Sequence, residues 1–242
     1  MTYGLIFSAG NQTRFEDKLP KALSKIGDKT LLDINIENMS KYCDFVYVVC
    51  SFKNQHYFSG YKTLTIDSGL GCGDAVYKAI NLLPYTSRDT CFIQWGDCLH
   101  SDIVYKETKD AYNGEIMVPC VVENFPYVQI KCDYSNRKII EALFTKYDEP
   151  VGFGYHDLSL FYGNVDKIFR YCDSFADRFY NDNKEFYNSP HGKEFDFLDI
   201  FRYCGAEGRV VPMKDYKCLA FNTKEELEEV IKYYEGLSSA EV

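Results

Sequence analysis

The sequence predicts an α/β fold built around a mostly parallel central sheet. Four apolar runs have the length and composition of buried strands, at residues 3–7, 45–50, 62–66 and 91–95. Stretches after the first and third of these runs carry apolar residues at helical spacing, at 30–42 and 76–83. Strands that alternate with helices in this way form parallel βαβ units, which bring the loops after the strands to one edge of the sheet. Candidate functional residues are therefore expected where these strands end.

Composition favours one domain and argues against a nucleic-acid partner. The 242 residues contain no Pro/Ser/Gly-rich linker, charge block or fixed-period repeat, which predicts a single domain over residues 1–242. The formal net charge is −9. A nucleic-acid surface usually needs an excess of Lys and Arg, so no nucleic-acid partner is expected.

The ten cysteines are interpreted as reduced thiols. There is no C-x-x-C pair, and several cysteines lie inside apolar runs, where the side chain behaves as a small hydrophobe. A structural zinc site is therefore not expected. The chain shows no signal peptide and no apolar run near the ~18 residues of a membrane span, so we expect a cytoplasmic protein with no membrane partner.

The loop after the first strand is the first candidate site. Ser8, Ala9 and Gly10 have almost no side-chain bulk, so backbone N–H groups can approach an anion closely. Arg14 and Lys21 add two cations to the same short segment. This combination suits a triphosphate.

The same segment resembles a known signature. Residues 8–15, Ser-Ala-Gly-Asn-Gln-Thr-Arg-Phe, are followed by Leu-Pro-Lys-Ala-Leu at 19–23. This order resembles the A-G-x-G-T-R-M and P-K motifs of the nucleotidyltransferases that make nucleotide sugars, typified by the N-terminal domain of N-acetylglucosamine-1-phosphate uridylyltransferase. Gln12 stands where the family has its second glycine. The resemblance spans nearly the whole chain and implies a Rossmann-like nucleotidyltransferase fold, with a mixed, mostly parallel sheet flanked by helices.

The resemblance assigns roles within this loop. It implies that the nucleotide is bound by Ser8, Ala9, Gly10, Asn11, Gln12 and Thr13. It implies two catalytic residues, Arg14 on the departing pyrophosphate and Lys21 on the α-phosphate.

A second glycine loop lies at residues 69–75. In the resembling family an L-G-T-G-x-A segment lies against the nucleotide base, and Leu-Gly-Cys-Gly-Asp-Ala at 70–75 matches it, with Cys72 in the usual Thr or Ser position. The match implies that Gly69, Gly71 and Cys72 bind nucleotide. A glycine-rich turn that only packs a helix against the sheet is the alternative.

The strand at 91–95 ends in Gly96-Asp97, which places a carboxylate at the same sheet edge. A hard oxygen ligand there suits Mg²⁺ bridging phosphate oxygens. The family's G-D-x-P aspartate is a metal ligand that also contacts nucleotide, and its V-N-T-x-x-x-L motif supplies the second ligand. The resemblance therefore implies Asp97 and Asn222 as the metal ligands and Mg²⁺ as the cofactor, although the proline after Asp97 is missing.

From Gly114 onward the pattern changes to successive short strands, at 115–122, 127–132 and 138–144, which form a small β subregion. In the family this region holds the phosphorylated acceptor. Glu141 resembles the glutamate of the family's I-x-E strand, and a solvated strand-end glutamate is the alternative. Glu194 begins a segment similar to the family's E-x-x-x-T-D helix start near the active site, and this resemblance implies that Glu194 contacts the acceptor. A plain helix cap at Asp196 explains the same segment equally well.

Further along, the sequence predicts one strand over 155–162 and a helix over 164–175. The irregular aromatic segment 179–193 suits either a lid or a dimer contact. A final helix is predicted over 225–234 with Thr223 as its cap, followed by a frayed tail. A homodimer is left open.

The resemblance implies transfer of a nucleoside monophosphate from a nucleoside triphosphate to a phosphorylated small-molecule acceptor. The short chain and Gln12 further resemble the cytidylyltransferases of bacterial capsule pathways, including CTP:phosphoglutamine cytidylyltransferase, which favours CTP as the donor. Two alternatives stay open. One is a UTP-dependent sugar-1-phosphate uridylyltransferase, and the other is a non-catalytic nucleotide-binding regulator of the same fold.

Overall fold

The computed structural model describes residues 1–10, 19–67, 69–147, 149–183, 185–214, 216, 219–221 and 223–240. The strands in chain order are β1 (Thr2–Phe7), β2 (Lys25–Ile26), β3 (Lys29–Thr30), β4 (Phe45–Ser51), β5 (Thr63–Ile66), β6 (Thr90–Trp95), β7 (Cys98–Leu99), β8 (Ile116–Glu123), β9 (Val128–Cys132), β10 (Ile139–Phe144), β11 (Gly154–Asp157), β12 (Leu160–Asn164), β13 (Gly208–Pro212) and β14 (Leu219–Ala220). The α-helices are α1 (Leu31–Ser40), α2 (Cys72–Asn81), α3 (Asp102–Asp110), α4 (Val165–Phe179), α5 (Asp199–Tyr203) and α6 (Lys224–Ala240).

One large mixed sheet organises these elements. Its order across the described residues is β10-β9-β11-β8-β12-β6-β1-β4-β5, with β13 also paired to β8. Strands β6, β1, β4 and β5 are parallel to one another, whereas β12 pairs antiparallel with β6, and each later pair along the order from β12 through β8, β11 and β9 to β10 is also antiparallel. The predicted α/β fold, a central sheet flanked by helices, is confirmed.

The helices cover both faces of the sheet because successive strand residues point to opposite sides. On β1, Leu5 belongs to the apolar core that contains Val76 and Ile80 of α2. Its neighbour Ile6 belongs to a separate core with Leu32 of α1. Both β1 residues are fully buried, and each burial stabilises the fold by about 2 kcal/mol.

Capping residues place several helix starts where the sequence predicts them. Thr30 caps α1, since its hydroxyl accepts from Asp33 N while the Asp33 carboxylate accepts from Thr30 N. Thr223 caps α6 in the same reciprocal way with Glu226. The helix at 165–179 starts after Asn164, whose side chain accepts from Lys167 N.

Three element boundaries differ from the sequence-based expectations. The single strand expected over 155–162 is two strands, β11 and β12, which are separated by Ser159 with a φ of 58°. The helix expected over 164–175 continues to Phe179, and the last helix continues to Ala240 where a frayed tail was expected. Periodicity in the sequence identifies a helix better than it locates its end, because end positions depend on tertiary contacts.

The helices within the described ranges include none with the length and apolar character needed to cross a membrane.

Candidate active site

Parallel strands β1 and β6 end side by side and form the floor of the candidate site. In their register Phe7 lies opposite Trp95, and Gly96 N donates to Phe7 O at 2.9 Å. A Cβ on Gly96 would lie 2.6 Å from Phe7 O and from Ser8 Oγ, so a larger residue does not fit there. This close approach holds the loop that starts at Ser8 beside Asp97.

Asp97 and Lys21 form a charged pair at this edge of the sheet. Lys21 Nζ lies 3.3 Å from Asp97 Oδ2 and donates to the Phe221 carbonyl at 3.1 Å. The lysine side chain is 9% exposed and the aspartate side chain 35%, so the carboxylate is the more accessible partner. Phe221 reaches this point because β14 pairs with β7, and its N–H donates to Asp97 O at 3.3 Å.

A cavity of about 530 Å³ opens beside this pair, which is a typical volume for a small-molecule site. It is lined by the first loop, the second glycine loop, the end of β6 and one residue from the segment before α5: Phe7, Ala9, Gly10, Gly69, Gly71, Cys72, Ala75, Trp95, Asp97 and Glu194. The fold therefore brings together predicted residues from separate parts of the sequence.

The predicted site residues divide into four groups. Seven of them line the cavity: Ala9, Gly10, Gly69, Gly71, Cys72, Asp97 and Glu194. Ser8 and Lys21 are buried next to it, since Ser8 follows Phe7 and Lys21 contacts Asp97. Five predicted residues lie outside the described residues: Asn11, Gln12, Thr13, Arg14 and Asn222. Glu141 does not line the cavity; on β10 it lies 3.2 Å from Lys131 and 3.5 Å from Arg202.

The second glycine loop packs against a distant segment of the same chain. Gly73 N donates to Phe195 O at 2.9 Å, and Phe195 N donates to Leu70 O at 2.8 Å. A Cβ on Gly73 would lie 2.6 Å from the Phe195 ring, and Gly71 has a φ of 100° and faces the Phe195 backbone. The sequence leaves open whether this loop binds nucleotide or only packs a helix against the sheet. The structure is compatible with both, because the loop lines the cavity and two of its glycines make room for Phe195.

A buried acid that the sequence analysis did not single out anchors this loop. The Asp74 carboxylate is fully buried and accepts from Leu70 N at 2.9 Å and from the Tyr187 hydroxyl at 2.8 Å. Lys78 Nζ lies 2.8 Å from the same carboxylate. Burial and the charge of Asp74 raise the pKa of Tyr187, so the phenol remains a hydrogen-bond donor. The available signal was an aspartate directly after the Gly-Cys-Gly of residues 71–73, at the start of a helix.

Cys72 connects the cavity to a polar group behind it. Its thiol donates to Asp196 Oδ1 at 3.5 Å and accepts from Phe197 N at 3.3 Å. Burial and the charge of Asp196 raise the pKa of Cys72 well above its ordinary value, so the thiol stays protonated. Lys146 Nζ lies 2.6 Å from Asp196 Oδ2. Burial opposes the charged lysine, but Asp196 raises the pKa of Lys146 overall.

These contacts correct one interpretation. Asp196 is not a helix cap, because its carboxylate contacts Cys72 and Lys146 and the helix that follows starts at Asp199. Lys146, which lies after β10, was not predicted as a site residue, and the sequence around it carries no pattern that would have identified it.

Asp199 extends the polar group further from the cavity. It is 1% exposed, and neither carboxylate oxygen accepts a hydrogen bond from the described residues. Its Oδ1 lies 3.0 Å from His191 Nδ1, but the two atoms are not aligned for a hydrogen bond. Burial, and then the charge of Asp196, raise the pKa of Asp199 to about 8.

The described residues contain no cluster of three or more His, Cys, Asp or Glu side chains that could hold a metal ion by themselves. A magnesium ion in a phosphate-binding site typically takes one or two carboxylates and completes its shell with phosphate oxygens and water. Asp97 has this character, since its carboxylate is partly exposed at the cavity edge. Lys21, which contacts this carboxylate, also donates to the backbone carbonyl of Phe221. The residues present therefore fit a magnesium ion that arrives with its phosphate ligands.

Several solved structures share this fold over nearly their whole length. A putative glucose-1-phosphate thymidylyltransferase from Bacillus anthracis superposes with a TM-score of 0.74 at 15% identity, covering 96% of this chain and 95% of that one. The inositol-1-phosphate CTP transferase from T. maritima has a TM-score of 0.72 at 12% identity, with coverage of 96% and 95%. The CTP:phosphocholine cytidylyltransferase of Streptococcus pneumoniae has a TM-score of 0.70 at 12% identity, with coverage of 96% and 99%. At these identities the similarity establishes the fold alone.

Sequence comparison identifies the family. No curated protein matches the chain. The family model described as the MobA-like NTP transferase domain matches residues 4–151, which is more than half of the chain and includes both glycine loops and Asp97. The protein therefore belongs to the MobA-like NTP transferase family.

Proposed function

We propose that this protein transfers a nucleoside monophosphate from a nucleoside triphosphate, with CTP favoured, to a phosphorylated small-molecule acceptor and releases pyrophosphate. One observation carries the proposal: Lys21 and Asp97 form a charged pair beside a cavity lined by both glycine-bearing loops. Family membership supports the reaction class. We further propose that the whole chain, 1–242, acts as one domain.

The chemistry needs positioning and charge more than proton transfer. A phosphate oxygen of the acceptor attacks the α-phosphorus, and the bond from that phosphorus to the oxygen bridging to the β-phosphate breaks. The electron pair leaves with pyrophosphate. Lys21 would stabilise charge on the α-phosphate and Arg14 charge on the pyrophosphate, and both interactions strengthen as charge develops. No general base is required, because a phosphate monoester is already mostly ionised at neutral pH.

Asp97 and Asn222 would hold Mg²⁺, which supplies positive charge to the phosphate oxygens when it is bound. Lys21 already contacts Asp97, so the same carboxylate orients the lysine toward the reacting phosphates. Ser8 to Thr13 would hold the phosphates through backbone N–H groups, and Gly69, Gly71 and Cys72 would contact the base. Glu194 at the cavity lining, and Glu141 further out, would serve the acceptor.

CTP is favoured on two grounds. The chain resembles capsule-pathway cytidylyltransferases, and two of the structural neighbours are described as CTP transferases, one for inositol 1-phosphate and one for phosphocholine. Phosphoglutamine is the acceptor suggested by the resemblance, which would place the product in capsule or cell-surface polysaccharide precursor synthesis. A UTP-dependent sugar-1-phosphate uridylyltransferase is the competing assignment, supported by the family motif in the first loop.

The test is pyrophosphate release from CTP, UTP, GTP, ATP and dTTP with Mg²⁺. Each nucleotide is combined with pooled sugar 1-phosphates and, separately, with pooled phosphorylated amino compounds, and products are identified by mass spectrometry. Release with CTP and one acceptor pool is the expected result. Release with UTP and a sugar 1-phosphate would replace the donor and acceptor assignment.

If no combination of nucleotide and acceptor releases pyrophosphate while calorimetry still detects nucleotide binding, the catalytic proposal is overturned in favour of a nucleotide-binding regulator. The pairing of Lys21 with Asp97 argues against a regulator, because nucleotide binding alone does not need a cation placed on a candidate metal ligand.

A further inference from the structure

One segment between α4 and α5 packs against the second glycine loop. We call it the strap and define it as residues 185–195. Its last residue makes two backbone hydrogen bonds to the loop, because Phe195 N donates to Leu70 O and Phe195 O accepts from Gly73 N. Glu194, the residue before it, lines the cavity. The strap therefore holds the glycine loop and also supplies one residue of the cavity lining.

A side chain makes a second contact between the strap and the loop. Tyr187 is fully buried, and its hydroxyl donates to Asp74 Oδ1 at 2.8 Å. The other carboxylate oxygen, Oδ2, accepts from Leu70 N at 2.9 Å and lies 2.8 Å from Lys78 Nζ. Each oxygen of this buried carboxylate therefore has a partner, and the partner of Oδ1 comes from the strap.

Aromatic packing fixes the position of the Tyr187 hydroxyl. The ring stacks on Tyr180, with centroids 4.3 Å apart and an interplanar angle of 2°. It also contacts Phe175 of α4 at 5.9 Å and Phe195 at 5.6 Å between centroids. The backbone is held as well, since Tyr187 N donates to Lys193 O at 3.2 Å. A phenol that is already immobilised can orient a carboxylate with little further loss of side-chain entropy.

The glycine loop needs such support because its own conformation is unfavourable. Gly71 has a φ of 100°, and glycine loses more backbone freedom on folding than any other residue. Without the Tyr187 hydroxyl, Asp74 Oδ1 would be buried without this donor, which is costly. The carboxylate would then turn or admit water, and Leu70 N would lose its fixed acceptor. Loss of one hydroxyl in the strap would thus loosen the loop.

We propose that Tyr187 is a positioning residue for nucleotide binding. Through Asp74 it holds the second glycine loop in the shape that receives the base, and the strap is a fixed part of the site and not a lid. This inference rests on the proposed function, which assigns the base to this loop. The sequence left open whether the aromatic segment 179–193 is a lid or a dimer contact. A fixed element is favoured because Tyr187 and Phe195 are both fully buried against the loop.

The test compares two tyrosine variants that are matched in chemistry. Tyr187→Phe removes the hydroxyl that donates to Asp74. Tyr77→Phe removes a hydroxyl that donates to Asp173 Oδ1 at 2.7 Å and so links α2 to α4. Each variant loses one hydrogen bond between a tyrosine and an aspartate, so a general loss of stability should appear in both.

Nucleotide binding to the whole protein is measured by calorimetry with Mg²⁺. The ligands are analogues of the five nucleoside triphosphates named above in which a methylene group joins the α- and β-phosphates, and the tightest one is used for the variants. We expect Tyr187→Phe to weaken the affinity about tenfold and Tyr77→Phe to change it by less than about twofold.

Two further measurements separate positioning from general stability. Hydrogen exchange followed by mass spectrometry, without nucleotide, should become faster at residues 69–73 in Tyr187→Phe and stay unchanged there in Tyr77→Phe. In steady-state pyrophosphate release, Tyr187→Phe should raise the KM for nucleotide and leave kcat within about twofold, because Lys21 and Asp97 are unchanged.

A double variant tests whether Tyr187 acts through Asp74. In the Asp74→Ala background, Tyr187→Phe should weaken nucleotide binding no further, because its hydrogen-bond partner is gone. A further loss of about tenfold would overturn this route. If Asp74→Ala does not fold, the comparison of the two tyrosine variants still decides.

Three other results would overturn the inference. They are equal losses of affinity in the two tyrosine variants, unchanged exchange at residues 69–73 in Tyr187→Phe, and protection of residues 185–195 that appears only with nucleotide, as in a lid. The transfer proposal fails separately. If Tyr187→Phe has the expected effects on binding and exchange but no nucleotide and acceptor release pyrophosphate, the positioning role stands and the catalytic proposal does not. If no analogue binds the unmodified protein, both are overturned.

Discussion

The two ends of the cavity are built in different ways. The end that we call the loop end consists of Ser8–Gly10, Gly69–Ala75 and Asp97, and its parts follow the parallel strands β1, β5 and β6. The second region, which we call the acidic end, lies behind Cys72 of the cavity lining and consists of Lys146, Asp157, Asp196 and Asp199. These residues come from the antiparallel part of the sheet and from the segment around the start of α5. Parallel strands bring their following loops to one edge by topology alone, whereas the acidic end depends on pairings between distant segments.

The two ends also differ in which chemical groups they present. At the loop end, small residues expose backbone N–H groups, and one lysine contacts one carboxylate. At the acidic end, side chains dominate, and buried carboxylates outnumber the lysine that contacts them. The two ends therefore differ in whether backbone groups or buried side chains supply most of the polar groups.

Removing the Asp97 carboxylate tests the loop end most directly. We expect Asp97→Ala to lower kcat by about 10³-fold, because the variant loses both the proposed metal ligand and the contact that orients Lys21. Steady-state pyrophosphate release at saturating nucleotide measures this effect. Glu37→Ala, at an exposed acid paired with Lys29, is the control. Turnover near that of the control would show that the loop end does not hold the reaction centre.

Lys21→Met should lower kcat by about 10²-fold, a smaller effect because the metal ligand remains. The change should affect kcat more than the KM for nucleotide, since the ammonium acts on charge that develops during the reaction. Thermal unfolding followed by circular dichroism separates this effect from loss of fold, because Lys21 is buried and also donates to Phe221 O. A variant with normal kcat and raised KM would assign Lys21 to ground-state binding.

Gly73→Ala tests the contact between the glycine loop and Phe195, where the two ends of the cavity meet. The new Cβ would lie 2.6 Å from the Phe195 ring, so we expect a loss of about 1–3 kcal/mol in the free energy of unfolding, together with weaker nucleotide binding. Urea unfolding measures the first and calorimetry the second. Gly60→Ala, which adds a Cβ in open space, is the control. Adding Phe195→Leu to Gly73→Ala should recover part of the loss, and no recovery would contradict the steric explanation.

Asp199→Asn tests the acidic end through pH and has the smallest expected effect. An acid whose folded pKa is raised to about 8 binds more protons when folded than when unfolded, so its contribution to stability falls as pH rises from about 4 toward 8. The variant lacks this titration. We therefore expect its stability relative to the unmodified protein to increase between about pH 5 and about pH 9, as measured by urea unfolding.

The control is Asp110→Asn, at an exposed acid on α3 that pairs with Lys106, and it should show no such trend. A constant difference between the unmodified protein and Asp199→Asn at all pH values would mean that Asp199 does not titrate in this range, and the description of the acidic end as crowded with carboxylates would fail there.

Much of the loop end could be predicted from sequence because its signals are local. Apolar runs identified β1, β4, β5 and β6, and the small residues after them identified the loops that line the cavity. The predicted α/β fold is confirmed, and the family match confirms the prediction of a nucleotidyltransferase. The roles of Lys21, Asp97 and the glycine loop stay predictions, as do those of Arg14 and Asn222.

The acidic end could not be predicted in the same way. Glu194 lines the cavity as the sequence suggested, but Glu141 lies outside its lining with Lys131 and Arg202. Lys146, Asp157 and Asp196 come together only because β10, β11 and the segment before α5 fold onto the same edge. The alternative to the motif, a plain helix cap at Asp196, was wrong for the same reason, since the partners of this carboxylate lie far away in the chain.

The sequence by itself determined the order of strands and helices, the parallel loops and the residues whose chemistry suits a phosphate. These properties depend on side-chain size and hydrophobic spacing over a few residues. The tertiary structure alone decided that Phe195 fills the space over Gly71 and Gly73, that Asp74 anchors the loop, and that Asp97 and Glu194 line one cavity. Burial and charge proximity are properties of three-dimensional neighbours, and no spacing within a single strand or helix records them.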